Sequence, residues 1–507
     1  MRAAVVSLAF TCLFSTAYAE CIPGKYAGTG GEEGQDPFPI LIAVTCEGDV
    51  VGGLIETVFG NATVTGGETS ADRWRLEATF DSAPLRLEAA RNGEAWTGHY
   101  DLAGQTGALN LRRDDAATFA ALSAQQEARL DLAVGQWRED LAFLAREIPA
   151  RHANAFHTID RQPWAHAVSQ VDARLPSLNG AQTAVALREL VARIGDGHTS
   201  VQLPPARRLP LRFFWFGGEL RIVEAPANRP DLIGARVLRI GGGSIRDAAR
   251  AASRLLAREN RWADLSMTPY LLRREDVLDY LGFARTGSDV ALRIRQDGGR
   301  TRDVALGFAD ADSPMAFVAG EAPLYRQRPD QSMWFTTLSG GAFYINFRAY
   351  DNLRTNTTGV MAELDRRRPP KVVLDMRDNG GGDFTAFRET MLAEILARPW
   401  LNRADRLYVV IGREMFSAAM SNAADLTLQT NATLVGEPIG ERPNSYQEVR
   451  FFALPNSRLR VGVSVEYYEA LPGTRNPDAI GPDISAPPTW VAFRRGEDDA
   501  LNRILRR

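Results

Sequence analysis

The sequence predicts a multidomain α/β protein, and three observations carry that prediction. At 507 residues the chain has room for about three domains of roughly 150 residues each. Its first hundred residues break into short alternating apolar runs separated by glycine-bearing turns, the pattern of an all-β domain. From about residue 333 apolar strand-like runs alternate with helix-like runs, the pattern of a sheet with helices packed on it. A hydrophobic content of 45% and a charged content of 24% describe an ordinary globular chain. The formal net charge of -3 gives no reason to expect nucleic acid or an anionic membrane as partner.

The N-terminus, "MRAAVVSLAFTCLFSTAYAEC", has Arg2, a short apolar run and the A-x-A site Ala17-Tyr18-Ala19. It predicts a signal peptide over residues 1–19, cleaved after Ala19, and hence an exported protein, periplasmic or secreted. No later run is long and apolar enough to predict a membrane span, so no integral membrane segment is expected after cleavage. Cleavage removes Cys12 and leaves Cys21 and Cys46, close enough in an exported domain to predict a disulfide. No spacing for zinc is present, and no metal or cofactor is expected.

Residues 20–112 contain "RWRLEATF", "LRLEAA" and "GALNLRR" at intervals of about ten residues, which predicts a β-sandwich or small barrel. Residues 113–203 form a helical segment. The stretch from Asp114 carries apolar residues at three- and four-residue spacing, and "QTAVALRELVARIGDGH" is a second amphipathic helix ending at Gly195. Residues 204–310 are β-rich, with a hairpin turning at Gly217-Gly218, a strand–glycine turn–helix unit and a second hairpin. Their order resembles a PDZ-like module. Residues 311–507 form the α/β core.

Three stretches could carry chemistry. In "VVLDMRDNGGG", residues 372–382, an apolar strand runs into three glycines and then a helix. Such a turn can present backbone N–H groups to a phosphate or an oxyanion; it also serves as a plain tight turn. The Walker lysine and G-x-G-x-x-G spacing are absent, which weighs against phosphate. In "EMFSAAMSNAADL", Ser417 stands between a strand-like and a helix-like run. A serine there is a helix cap or a nucleophile served by the helix N-terminus. The G-x-S-x-G elbow is missing, which disfavours an α/β-hydrolase.

A nucleophilic serine needs a base, histidine or lysine. The only lysines are Lys25, in the β domain, and Lys371, at the start of the strand leading to the glycine turn. The rise to Asn379 is about 26 Å at roughly 3.3 Å per residue, so neither lysine reaches a site at the turn. Of His99, His152, His157, His166 and His198, His198 in "RIGDGHTSVQL" lies where a helix ends and a strand begins, a place that displays side chains. It is either a surface loop residue or a base suited to neutral pH. His152 and His157 are five apart and share no helix face for a metal; both read as structural or cleft-lining.

Taken together, "GDGHTSVQL", "VVLDMRDNGGG", "MFSAAMSNAADL" and "ATLVGEPIG", followed by "LPNSRLRV" and "GPDI", resemble the C-terminal processing (tail-specific) protease family, particularly its tricorn-like branch. The resemblance spans about residues 130–505. It implies a Clp-protease/crotonase-like α/β core and a serine peptidase acting on peptide or unfolded protein. Ser417 would be the nucleophile, His198 the base, and Gly380 or Gly381 with Ala418 the oxyanion hole. The lysine of the family's serine–lysine branch has no counterpart in "VGEPIGERPN", and Arg442 is no base. Gly197 stands where the tricorn relay serine would be. Glu448, Glu469 and Asp196 are the candidates for an acid that orients His198. The rival readings are a binding protein on the same fold, as in the modules of interphotoreceptor retinoid-binding protein, and an esterase.

Overall fold

The computed structural model describes residues 21–32, 37–48, 50–58, 60–80, 83–124, 127–257, 259–311, 317–473 and 477–506. The predicted signal peptide, Met1 to Ala19, lies outside the described residues. The chain divides into two compact units between Glu127 and Ala128.

The first unit is a closed barrel of eight strands, running from Gly24–Gly31 to Gln105–Arg113, with each strand antiparallel to the next and the last paired with the first. Alternation drives it. In Arg73–Phe80 the residues Trp74, Leu76 and Ala78 point inward and their neighbours outward, as a pleat of period two requires. Tyr26, Trp74 and Trp96 fill the interior with ring centroids 4.9 to 6.4 Å apart. Closure removes exposed strand edges, and resolves the choice between sandwich and barrel that alternation alone left open. A disulfide joins Cys21 to Cys46, with Cα atoms 5.9 Å apart.

The second unit begins with helices Val134–Arg151, Arg161–Arg174 and Gly180–Val191, the last ending through a short turn at Gly195, φ 94°. The helical reading from Asp114 needs correction here. Helix forms at Phe119–Ala124 and again from Val134, but residues 128–133 belong to no helix or strand. Ala128, Leu130, Leu132 and Val134 all pack on the core, a two-residue alternation, and the Arg129 N–H donates to the Ser457 carbonyl. Tertiary pairing overrides local helix propensity there.

Residues 212–319 build a seven-stranded sheet around its own core, the last strand, Phe317–Ala319, pairing with Glu219–Pro226. Both hairpins read in the sequence are present, Arg212–Phe216 with Glu219–Pro226 and Val290–Arg295 with Thr301–Leu306. The remaining sheet has six strands in the order Met333–Thr337, Phe343–Phe347, Val372–Asp375, Leu407–Ile411, Thr433–Gly436, Ile484–Ser485. All neighbours are parallel except the first pair. Apolar side chains cover both faces, the usual condition of a parallel sheet. A hairpin, Asn444–Ala453 with Arg460–Glu469, takes Ser200–Val201 as its third strand. No helix among the described residues is long and apolar enough to cross a membrane.

The disulfide closes a loop that the chain-entropy model values at about 3 kcal/mol. Replacing Cys21 and Cys46 together by serine is expected to lower barrel stability by about that amount, read as faster amide exchange in the barrel strands.

Candidate active site

Two loops leave the carboxyl ends of adjacent parallel strands, where open α/β sheets place their ligands. Val372–Asp375 leads into the glycine turn, and its neighbour Leu407–Ile411 leads to Ser417. The two loops touch. The Phe416 N–H donates to the Asn379 carbonyl at 3.2 Å, and a Cβ added at Gly381 would stand 2.8 Å from the Ser417 Cβ. Gly381 also has φ 109°, so only glycine fits. Asn379, fully buried, holds the turn with its amide: Nδ2 donates to the Phe347 carbonyl at 3.2 Å and Oδ1 accepts the Gly381 N–H at 2.9 Å.

Ser417 is the N-cap of helix Ala418–Gln429, yet its side chain caps nothing. Its backbone is at φ 54°, ψ -124°, a strained conformation for a residue with a Cβ and one that clusters at functional sites. The sharp strand-to-helix turn resembles a nucleophile elbow without its sequence signature. Ala418 opens the helix, so its N–H has no helical carbonyl to bond. Of the three residues the sequence offered for an oxyanion hole, Gly380, Gly381 and Ala418, Gly381 has its N–H taken by Asn379.

His198 reaches this point from another segment. Its ring stacks on Phe416, with centroids 4.4 Å apart and an interplanar angle of 21°. The imidazole is only 7% exposed, and its Nδ1 lies 3.4 Å from Oε1 of Glu441. Neither ring nitrogen makes a hydrogen bond among the described residues. The other oxygen of Glu441 accepts the N–H of Ser417. One buried carboxyl therefore touches both the serine's backbone and the histidine. Burial pushes the His198 imidazole down to about 4. Burial, and then the nearby Glu259, push Glu441 well above the usual carboxylate range. Burial also holds Glu259 up at about 7.

The sequence passed over Glu441, and the three acids it named sit elsewhere. Asp196 is buried and fully engaged: it accepts from His152 Nε2 at 2.8 Å, from the Ser464 hydroxyl at 2.5 Å and from the Thr199 N–H at 2.8 Å. With the His152 Nδ1 accepting the Asn154 N–H, the Nε2–H tautomer is the one that fits. Asp196 thus anchors the loop bearing His198. Glu448 is exposed and accepts from the Tyr468 hydroxyl at 3.1 Å. Glu469 is exposed and accepts the Gly473 N–H at 3.3 Å. Lys371 donates to the Ile504 carbonyl, away from this site. The one clue to Glu441 was its place in "VGEPIGERPN", a stretch read only for lysine. No group of three or more potential metal ligands occurs among the described residues.

No family model and no curated protein matches this chain. Solved structures do. Mature CPAF complexed with lactacystin matches with a TM-score of 0.54 at 12% identity, over 74% of this chain and 97% of that one. Mature CPAF alone matches with a TM-score of 0.51 at 12% identity, over 73% and 96%. The photosystem II D1 C-terminal processing protease is similar more loosely, with a TM-score of 0.36 at 16% identity over 71% and 97%.

Removing Asp196 would strand three buried donors. Asp196→Ala is expected to destabilise the second unit by about 3 kcal/mol, measured as a lowered denaturation midpoint of its transition. The two CPAF matches establish a shared fold over about three quarters of this chain, a multidomain α/β protein with an eight-stranded barrel in its N-terminal unit.

Proposed function

We propose that the chain is an exported serine peptidase, periplasmic or secreted, of the tricorn-like branch of the tail-specific proteases. In this reading the sheet holding Ser417 is a Clp-protease/crotonase-like core and residues 204–310 are a PDZ-like module. The observation that carries it is Ser417 itself. It is a strained, uncapped serine at a helix start, beside a glycine turn and a carboxyl that also meets a histidine. A capping serine would bond the helix N–H groups; this one keeps its hydroxyl for something else. The shared fold with mature CPAF, which has been seen complexed with lactacystin, is consistent with this reading.

The chemistry is acyl transfer from a peptide or unfolded protein to Ser417 and then to water. His198 Nδ1 faces Glu441, so Nε2 is the nitrogen left for the Ser417 proton. The imidazole must turn from its stack on Phe416 to accept it, a tightening common when substrate binds. As Ser417 Oγ attacks the carbonyl carbon, its proton passes to Nε2. One proton has moved, from Ser417 to His198, and Oε1 of Glu441, which faces Nδ1, accepts from the Nδ1–H and stabilises the imidazolium. The Gly380 and Ala418 N–H groups hold the oxyanion, a donor of this kind contributing about 3 kcal/mol. His198 returns the proton to the leaving amine, and water completes the cycle.

Labelling by a fluorophosphonate probe tests this. Ser417→Ala is expected to abolish labelling. His198→Ala should slow it by on the order of 100-fold or more, and Glu441→Gln by about 10-fold or more. A wild-type protein that never labels favours the rival binding-protein reading, to which the missing Ser417–His198 hydrogen bond lends support. Matched ester and amide substrates separate an esterase from a peptidase.

The pH profile carries a second expectation. An imidazole lowered to about 4 is neutral, and able to accept a proton, at every pH above that value. Labelling should persist at pH 5.5 and fail only as pH falls through about 4. An acid limb centred near 6.5, the value of a free histidine, contradicts the buried placement of His198.

A further inference from the structure

Glu259 belongs to the β-rich module, in the turn before helix Arg261–Leu271, and nothing in the proposed chemistry uses it. It is nonetheless 3% exposed and aimed at the site. Its Oε1 accepts the N–H of Gly197 at 2.5 Å, the residue before His198. Its Oε2 accepts the N–H of Arg442 at 3.2 Å, the residue after Glu441. Its own carbonyl accepts from Arg442 Nε at 2.7 Å. The next residue, Asn260, donates from Nδ2 to the carbonyls of Ile439 at 3.1 Å and Asp478 at 2.8 Å. One dipeptide therefore grips both the histidine loop and the acid loop, and a single carboxylate spans them.

The fit is close on the histidine side. A Cβ at Gly197 would meet the Phe416 ring at 3.0 Å and Glu259 Oε1 at 3.2 Å. Glycine at the relay-serine position thus makes room for the carboxylate of Glu259 and the ring of Phe416. A carboxylate kept this deep is costly unless it is hydrogen-bonded, and the two amides it binds are the ones flanking His198 and Glu441. A surface carboxylate would serve stability as well; this placement serves geometry.

We infer that Glu259 is a positioning residue, setting the separation of His198 and Glu441 by bonding the backbone beside each. The inference rests on the Ser417–His198–Glu441 reading for its meaning in catalysis, but the geometry can be read without activity. The predicted effect on geometry is a change in the environment of one imidazole. The predicted effect on chemistry is a loss of about 10- to 100-fold, the scale of a small misplacement of a catalytic group.

The test is the histidine ring Cε1–H spectrum of the full chain, with five histidines and the His198 signal identified by its loss in His198→Ala. Glu259→Gln keeps the side chain's size and loses one acceptor. It is expected to shift the His198 signal while those of His99 and His166 stay in place, which reports that both units remain folded. Glu259→Asp, one methylene shorter, should move the same signal and serves if the first variant does not fold. In fluorophosphonate labelling Glu259→Gln should be slow in the wild-type background and add nothing to His198→Ala, because the two act through one group. An unmoved His198 signal overturns the inference, whether or not the wild type labels. So does equal slowing in both backgrounds, which would mark a general structural role. Absence of labelling in a wild type whose His198 signal does move counts against the peptidase reading alone.

Discussion

The buried carboxyl of Glu441 is the contact on which the site depends. It is fully enclosed, and it meets the Ser417 N–H with one oxygen and approaches His198 with the other. Enclosing an ionised carboxylate would cost several kcal/mol, and burial first, then the neighbouring Glu259, push Glu441 well above the usual carboxylate range. His198 is driven the opposite way for the same reason. Two groups that each resist charge alone are placed where charge on one favours charge on the other. A site built this way is quiet until a proton has somewhere to go.

The rest of the second unit delivers three distant segments to that point. Parallel strands bring the glycine turn and Ser417 side by side at their carboxyl ends. The loop carrying His198 is fixed behind by Asp196, which ties it to His152 and Ser464, and beyond by Ser200–Val201 joining the hairpin. Glu259 closes the arrangement from the β-rich module. Strain at Ser417 is tolerated because Gly381 packs against it and Asn379 locks the turn. The backbone holds an unfavourable φ only where its surroundings over-determine it.

How much was legible in the sequence follows from the range of the interactions. Strand alternation, the hairpins at Gly217-Gly218 and Gln296–Arg300, and the glycine turn are local patterns, and the structure has them. The alternation of Ala128, Leu130 and Leu132 is short and lies between two helix-forming runs, and the packing of these residues against the core is what sets it apart. Ser417 and His198 stood out because rare lysine and few histidines narrowed the choice of base. Acids offer no such narrowing: with 62 Asp and Glu residues, nothing local separates Glu441 or Glu259 from the rest. Their roles come from burial and from contacts across 62 to 243 positions of chain. Asp196 was conspicuous for standing two residues from His198, yet nearness in sequence pointed its side chain away, toward His152.

The central claim is that Ser417 carries an activated hydroxyl. Peptide mapping by mass spectrometry, after reaction of the intact protein with a fluorophosphonate at pH 7, tests it most directly. The account predicts a single phosphonyl adduct, on the peptide containing Ser417 and on that residue. An unmodified Ser417, or an adduct spread over other serines, would contradict it.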